Sequence, residues 1–220
     1  MRLLLARHAR TASNVSGLLD TAPPGPDLDA YGVAQAARLA KRLVVEQVSA
    51  VFSSDLLRAV QTAETVAASF GLGVQQLSGL REIGAGDDEM SADLRRYVAV
   101  LRSWGTGDPG ARISGGESGL EFAARFDAAV RRAVADGHPT VLLVSHGAAI
   151  RAWAGYVMPQ LRADLLSRGL PNTAVIAADG DPDAGWVPAG IDYPDTDPDD
   201  VFTVEPGVGA AWSVPAATAQ

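Results

Sequence analysis

The chain has no cysteine among its 220 residues, which excludes disulfides, thiolate zinc sites, iron–sulfur clusters and a cysteine nucleophile. It also lacks long apolar runs, and no stretch approaches the roughly 20 apolar residues that a membrane-spanning helix needs. The short run Leu3-Leu4-Leu5-Ala6 is interrupted by Arg7 and is too brief for the core of a signal peptide. We therefore expect a cytoplasmic protein without a membrane partner.

The charge balance is acidic, with a formal net charge of −8, which disfavours nucleic acid as a partner. The apolar fraction of 47% and the charged fraction of 20% are typical of a globular protein. The length is suited to one sizeable core, so we predict a single domain over residues 1–220. The sequence leaves the oligomeric state open, including a homo-oligomer.

Short apolar runs alternate with segments of helical periodicity along the chain. The runs cover residues 2–6, 49–52, 140–144 and 173–178. The periodic segments predict helices at 31–45, 56–70, 121–136 and 147–156, with a weaker one near 92–104. Runs that are apolar on both faces are typical of central strands in a parallel sheet. The sequence therefore predicts an α/β fold, a three-layer α/β/α sandwich with a largely parallel central sheet.

Local signals predict how some of these helices begin and which face they bury. The cluster Ser53-Ser54-Asp55 resembles an N-cap for the helix at 56–70. Ser118 and Glu121 have the spacing of a capping box. On the helix at 31–45, Val33, Ala37, Ala40 and Val44 recur at helical spacing, so we expect them to face the core.

Two regions are less regular. Residues 84–116 have weak periodicity and are expected to form a cap-like segment. Residues 180–220 form an irregular acidic tail rich in proline and glycine, for which an edge strand and partial disorder are both open. Asp195, Asp197 and Asp199 resemble the start of a calcium loop, but Asp200 and Pro206 replace the required Gly and Glu. We therefore reject an EF-hand.

The chain has three histidines, and two of them directly follow predicted strands. His8 comes after the first strand and His146 after the strand at 140–144, whereas His138 is predicted to lie in a loop. Ligands of open α/β sheets bind beyond the carboxyl ends of the strands. His8 and His146 are therefore candidate functional residues.

Three kinds of chemistry can use two histidines at such positions. A metal site is disfavoured, because Arg7 adjoins His8 and repels a divalent cation by about 8 kcal/mol at ~4 Å and an effective dielectric of ~20. Acyl transfer by Ser145 and His146 is disfavoured because the sequence has no G-x-S-x-G elbow. Phosphoryl transfer fits better, because a histidine can form a phosphohistidine. Arg58, in the first turn of a predicted helix, adds a second cation for a phosphate.

Five motifs then occur in order along residues 2 to about 178. They are Arg7-His8-x-x-Thr11-x-x-Asn14, Ser53-Ser54-x-x-x-Arg58-Ala59-x-Gln61-Thr62-Ala63, Leu80-Arg81-Glu82-Ile83, Gly115-Gly116-Glu117-Ser118 and Ser145-His146-Gly147. Each motif is weak alone, but together they closely resemble the histidine phosphatase superfamily, the phosphoglycerate mutase-like family. The resemblance implies the phosphoglycerate mutase-like fold, a small phosphomonoester substrate, no metal and no cofactor.

The resemblance also implies a role for each matching residue. His8 looks like the nucleophile that is phosphorylated, and Glu82 like the acid that protonates the leaving oxygen and then activates water. His146 looks like a second histidine that donates to phosphoryl oxygens. Donors to the phosphate are expected from Arg7, Asn14, Arg58 and the backbone N–H of Gly147.

Three residues depart from the family pattern. Ala9 and Arg10 stand where Gly and then Glu or Gln are usual, and Asp20 stands where many relatives place Gln. Ala9 would shift the phosphate pocket if its peptide needs a positive φ. Arg10 either adds a cation near the pocket or points to solvent. Asp20 would repel a second phosphate or a carboxylate on the substrate.

Residues 84–116 look like the shorter cap of the phosphatase branch rather than the mutase segment. We therefore predict a metal-independent phosphomonoesterase that acts through a phosphohistidine on His8. Two alternatives stay open: phosphoglycerate mutase-type phosphoryl transfer, and a weakly active or inactive member that binds a phosphorylated ligand.

Overall fold

A computed structural model describes residues 1–194, and the acidic segment that begins at Asp195 lies outside the described residues. The described part contains a six-stranded sheet in the order β3-β2-β4-β1-β5-β6. The strands are β1 Arg2–Arg7, β2 Ala50–Ser53, β3 Val74–Gln76, β4 Thr140–Ser145, β5 Val175–Asp181 and β6 Gly185–Asp192. The short strand β3 is absent from the sequence prediction because two of its three residues are exposed glutamines.

The sheet is largely parallel, which confirms that prediction. Strands β3, β2, β4 and β1 run parallel, whereas β5 is antiparallel to β1, and β6 is antiparallel to β5. The expectation of a parallel strand at residues 173–178 is thus wrong in direction. The chain returns to the carboxyl end of β1, where the Thr173 N–H donates to the Arg7 carbonyl, so β5 begins at that end. Strand β6 adds an edge strand, one of the two alternatives for the tail.

Helices cover both faces of the sheet, as the three-layer prediction requires. They are α1 Ala12–Val15, α2 Ala30–Leu43, α3 Leu57–Ala68, α4 Arg95–Thr106, α5 Gly119–Val134, α6 Gly147–Val157 and α7 Arg162–Ser167, with short 3₁₀ turns between them. Within residues 1–194, none of these helices has the length and apolar character needed to cross a bilayer.

Alternate side chains of the strands enter two separate cores. Leu4 and Leu142 pack with the buried faces of α2 and α3 on one side of the sheet. Leu3, Leu5 and Leu143 pack on the other side with residues of α4, α5 and α6. This alternation follows from the two-residue period of a strand. It explains why the central strands are apolar on both faces.

The predicted core face of α2 is wrong for Val33, Ala37 and Val44 and right for Ala40. Val33 and Val44 are 56% and 57% exposed, whereas Leu39 and Leu43 are buried against the sheet and Ala40 is buried between them. Two stripes at helical spacing overlap on this helix. The stripe with two leucines buries more apolar surface, so it faces the core.

The predicted N-cap of α3 is also wrong, whereas the capping box of α5 is confirmed. Leu56 precedes α3 without a side-chain cap. Ser54 instead contacts His146, and Asp55 pairs with Arg81 at 2.5 Å. In α5 the Ser118 hydroxyl accepts from the Glu121 N–H, and the Glu121 carboxylate accepts from the Ser118 N–H. The polar cluster after β2 thus makes long-range contacts at the site described below.

Candidate functional site

The carboxyl ends of the parallel strands β1, β4 and β2 lie side by side at one end of the sheet. Arg7 at the end of β1 is in register with Ser145 at the end of β4. The next residues are His8 and His146, and the His8 N–H donates to the Ser145 carbonyl. The two imidazole ring centroids therefore lie 5.1 Å apart.

A cavity of about 130 Å³ opens beside His8. Six of the seven predicted site residues line it: Arg7, His8, Asn14, Arg58, Glu82 and Gly147. The seventh, His146, is fully buried next to His8. It does not line the cavity that is formed by residues 1–194. The structure thus brings together residues that are up to 140 positions apart in the chain.

The hydrogen bonds of His8 define its tautomer. Its Nδ1 lies 2.7 Å from the Ala9 carbonyl oxygen, which can only accept, so Nδ1 carries the proton. Its Nε2 lies 3.1 Å from Arg58 Nε, which can only donate, so Nε2 presents its lone pair. Burial first, and then the charges of Arg58 and Arg7, lower the pKa of His8 well below its usual value. His8 is therefore a neutral imidazole with a nucleophilic nitrogen.

Arg58 is a buried cation in the wall of the cavity. Its Nη2 donates to the Asp20 carbonyl at 2.8 Å, and its Nη1 lies 3.7 Å from Asp20 Oδ1. Burial lowers the pKa of Arg58, and the nearby Asp20 charge opposes this effect. Nη1 makes no hydrogen bond within the described residues, so this N–H group has unused capacity for an anion.

Arg7 lies against the first residue of α6. Its Nη1 donates to the Leu170 carbonyl at 2.8 Å. A Cβ on Gly147 would lie 3.1 Å from Arg7 Nε, closer than ordinary packing allows. The glycine therefore lets the guanidinium approach the N-terminus of α6, where backbone N–H groups also favour an anion.

His146 has one ring nitrogen engaged and one unengaged. Its Nε2 lies 2.8 Å from the Ser54 hydroxyl, which also accepts from the Leu56 N–H. Its buried Nδ1 has no hydrogen-bond partner among residues 1–194. Burial, followed by the charge of Arg58, lowers the pKa of His146 well below its usual value. The Ser54 hydroxyl can donate to Nε2 or accept from it, and in the tautomer in which it donates, the proton of His146 is on Nδ1.

The Glu82 carboxylate is held at the N-terminus of α6. Its two oxygens accept from the N–H groups of Ala148 at 3.1 Å and Ala149 at 2.7 Å. Gly147 supplies the neighbouring N–H, which Glu82 does not take. One helix end thus orients the candidate acid and presents a donor to the cavity.

Arg125 of α5 holds the backbone that leads to Glu82. It donates to the carbonyls of Gly79, Arg81 and Glu82, each at 2.9 Å. It also pairs with Glu117 at 2.5 Å. The motif residue Glu117 therefore supports the loop that carries Glu82, through Arg125.

Asn14 is the third residue of the short helix α1 and completes its capping box with Thr11. Its Oδ1 accepts from the Thr11 N–H at 3.1 Å and from Asn172 Nδ2 at 3.3 Å. These contacts use the amide oxygen and orient the amide nitrogen as the donor available to the cavity.

The two residues after His8 do not disturb the cavity. The described non-glycine residues with positive φ are Gln47, Met90 and Thr173, so Ala9 does not need the conformation that only glycine tolerates well. Arg10 takes neither predicted position. It pairs with Asp29 at 2.9 Å, lies over the ring of Tyr31, and is absent from the cavity lining in the described chain.

The cavity also includes residues that the motifs do not reveal. Arg151 lines the wall, is only 6% exposed, and donates to the Leu165 carbonyl. Burial first, and then the charge of Arg7, lower its pKa to about 10. Arg151 is four positions after Gly147 and so lies on the same face of α6. This spacing is the sequence signal that could have identified Arg151 as a cavity residue.

The cap-like segment contributes apolar side chains to the same wall. Leu94 and Tyr97 line the cavity, and the Tyr97 hydroxyl donates to the Ile83 carbonyl at 2.9 Å. Leu101 and Trp104 pack in the core instead, where Trp104 stacks on Phe122. The cap-like segment thus both packs the core and closes one side of the cavity.

Across residues 1–194 no group of three or more His, Cys, Asp or Glu is arranged to hold a metal ion.

We expect Gly25→Ala to weaken anion binding, because this glycine lies against Arg58. Gly25 has φ +68°, and a Cβ there would lie 2.5 Å from Arg58 Nη1. The substitution should weaken inorganic phosphate binding by roughly tenfold and lower the free energy of unfolding by about 1–2 kcal/mol. Calorimetric titration and urea unfolding measure the two effects. Gly73→Ala, where a Cβ meets open space, is the control. Unchanged phosphate affinity in Gly25→Ala would contradict this use of Arg58.

Comparisons with known proteins show the family to which the chain belongs. The model of the histidine phosphatase superfamily (branch 1) matches residues 3–189. The chain therefore belongs to the histidine phosphatase superfamily, whose described relatives include phosphatases and mutases.

Individual relatives share about a third of their aligned residues with this chain. The chain is 32% identical over 205 residues to the PE-PGRS family protein PE_PGRS11 of Mycobacterium tuberculosis (strain ATCC 25618 / H37Rv), covering 82% of this chain but 34% of that protein. It is 35% identical to the probable phosphoglycerate mutase GpmB of Proteus mirabilis (strain HI4320), covering 68% of this chain and 71% of that protein. The solved structure of a mycobacterial glucosyl-3-phosphoglycerate phosphatase is similar with a TM-score of 0.70 and 28% identity, over 86% of this chain and 96% of that one.

Proposed function

We propose that this protein is a metal-independent phosphomonoester hydrolase that forms a phosphohistidine on His8. One observation carries the proposal: the lone pair of His8 Nε2 and the guanidiniums of Arg7 and Arg58 belong to one cavity. A dianionic phosphate that enters this cavity meets a neutral nucleophile between two cations. That combination is suited to phosphoryl transfer, in which charge moves onto the phosphoryl oxygens.

In the first step, His8 Nε2 attacks phosphorus and the P–O ester bond breaks. Its electron pair leaves on the alcohol oxygen, which takes a proton from the carboxylic acid form of Glu82. Arg58 must turn its donors from Nε2 to the phosphoryl oxygens when substrate binds. Asn14 and the N–H of Gly147 supply further donors to these oxygens. Nδ1 of His146 is buried outside the cavity wall, and it joins these donors once the bound phosphoryl group reaches the His146 ring.

In the second step, water attacks the phosphorus and the P–N bond breaks. The electron pair of that bond returns to His8 Nε2, and Glu82 accepts the proton from the attacking water. Because Glu82 gives up a proton in the first step, its carboxylate is the available base in the second. Inorganic phosphate then leaves and the initial state is restored.

Hydrolysis is favoured over the mutase reaction by the composition of the cap-like segment. A mutase must hold a second anionic group of its substrate while the phosphoryl group returns. The candidate cations of this segment are Arg95, Arg96, Arg102 and Arg112, and none lines the cavity as the described residues define it. Arg95 pairs with Asp93, Arg96 with Asp88 and Arg112 with Glu121.

The experiment incubates the wild-type protein with p-nitrophenyl phosphate and, separately, with 3-phosphoglycerate, and follows inorganic phosphate and 2-phosphoglycerate. We expect phosphate release from the nitrophenyl ester and no 2-phosphoglycerate. Rapid interconversion of the phosphoglycerates without phosphate release would instead establish the mutase alternative. Saturable phosphate binding without turnover of any phosphomonoester would establish the phospho-ligand-binding alternative.

A further inference from the structure

Among the described residues that line the cavity, Asp20 is the acidic side chain that the proposed mechanism does not use. Its side chain is 11% exposed. The Ser13 hydroxyl donates to Oδ2 at 2.6 Å, while Oδ1 lies 3.7 Å from Arg58 Nη1. The Asp20 carbonyl also accepts from Arg58 Nη2. The carboxylate is therefore anchored from two sides and cannot swing away from the cavity at low cost.

A bound phosphate changes the charge balance around Asp20. In the free protein, Arg58 partly compensates the Asp20 carboxylate. When a phosphate dianion takes the donors of Arg58, the same cation serves both anions, and part of the Asp20 charge is left uncompensated. That remaining charge lies in the wall of the cavity that must also accommodate the alcohol part of a substrate.

The rest of the wall offers little that would bind a second anion. Tyr97 donates its hydroxyl to a backbone carbonyl. The apolar residues of the wall are Leu18, Leu19, Leu94, Val98, Ala148 and Leu170. Arg151 is the further cation of the wall, but it is almost fully buried and donates to the Leu165 carbonyl. An uncharged alcohol fits this surface better than one with a carboxylate or a second phosphate.

We infer that Asp20 is a specificity-determining residue that selects phosphomonoesters of uncharged alcohols against those carrying a second anionic group. This inference rests on the proposed function. It concerns the alcohol part of the substrate, because the phosphate is common to both substrate classes.

Two esters of the same shape test the inference: para-carbamoylphenyl phosphate, which is neutral beyond its phosphate, and para-carboxyphenyl phosphate. We expect the wild-type kcat/KM to favour the carbamoyl ester by about tenfold, the size of the repulsion between two like charges in a largely buried site. In Asp20→Asn, which keeps an acceptor for Ser13, the ratio should fall towards one. Asp20→Ser removes the same charge with a smaller side chain and should give the same ratio.

The control is Asp136→Asn, which removes one negative charge from a surface pair with Arg132 and should keep the wild-type ratio. A wild-type ratio near one, or an unchanged ratio in both Asp20 variants, would overturn the inference alone. A wild-type preference for the carboxyl ester that Arg151→Met abolishes would also overturn it. If neither ester is turned over, the proposed hydrolase function is wrong. Calorimetric dissociation constants of the two esters then decide the selectivity, and equal constants overturn it.

Discussion

Replacing His8 by alanine is expected to lower phosphate release from p-nitrophenyl phosphate by roughly 10⁴-fold or more, because it removes the proposed nucleophile. The His8 side chain is buried. Its Nδ1–H donates to the Ala9 carbonyl, and its Nε2 lone pair accepts from Arg58 Nε. No other described group has a neutral nitrogen lone pair in the cavity wall. In His8→Ala, water would have to attack the ester directly. The variant would lose the phosphohistidine intermediate, which divides the reaction into two easier steps.

The measurement compares the initial rate of phosphate release by wild type and His8→Ala. His138→Ala is the matched control, since His138 lies in the loop after α5, away from the sheet edge, and should retain wild-type activity. Rapid quenching of wild type with labelled substrate should also trap protein-bound phosphate that is stable in alkali and lost in acid, as expected for a phosphoramidate. Equal activity of wild type and His8→Ala would contradict the nucleophile assignment. Circular dichroism confirms that each variant is folded.

Removing the charge of Arg58 is expected to have the second largest effect. Arg58→Met keeps most of the side-chain volume but deletes a buried cation and the donors beside His8 Nε2. We expect kcat/KM to fall by roughly 10²- to 10³-fold, the usual cost of losing one charged donor to the transition state. Arg131→Met, at an exposed site on α5, is the control and should behave as wild type.

The same substitution should move the acid limb of the pH profile in a defined direction. Burial lowers the pKa of His8 first, and the charge of Arg58 is the second cause. Only the neutral imidazole attacks, so activity of the wild type is retained as the pH falls until it reaches this lowered pKa. Without Arg58 the pKa of His8 rises, and the acid limb of kcat/KM moves to higher pH. A limb that stays in place, with kcat/KM reduced equally at all pH values, would show that Arg58 does not act on His8.

Much of the fold and of the site follows from local patterns in the sequence. Apolar runs and helical periodicity predict the layered α/β architecture, because each helix and strand must bury its own apolar side chains. The histidines directly follow strands, and parallel strands end at a common edge, so the meeting of His8 and His146 could be predicted without coordinates. The five ordered motifs predict membership of the histidine phosphatase superfamily, which the comparisons confirm.

Features that depend on distant partners required the tertiary structure. The direction of β5 is decided by where the returning chain meets the end of β1, and the buried face of α2 by which stripe fits the sheet. The placement of Glu82 at the N-terminus of α6 joins groups 66 and 67 residues apart. The contact between Asp20 and Arg58 joins groups 38 residues apart.

The sequence by itself determined which chemical groups this protein can bring to the sheet edge, because strand ends, helix starts and residue types are local properties. Only the tertiary structure decided which nitrogen of His8 presents its lone pair, which groups hold Glu82 and that Asp20 lines the cavity. These features depend on hydrogen-bond directions and distances between remote segments, which arise when the two cores pack around the sheet.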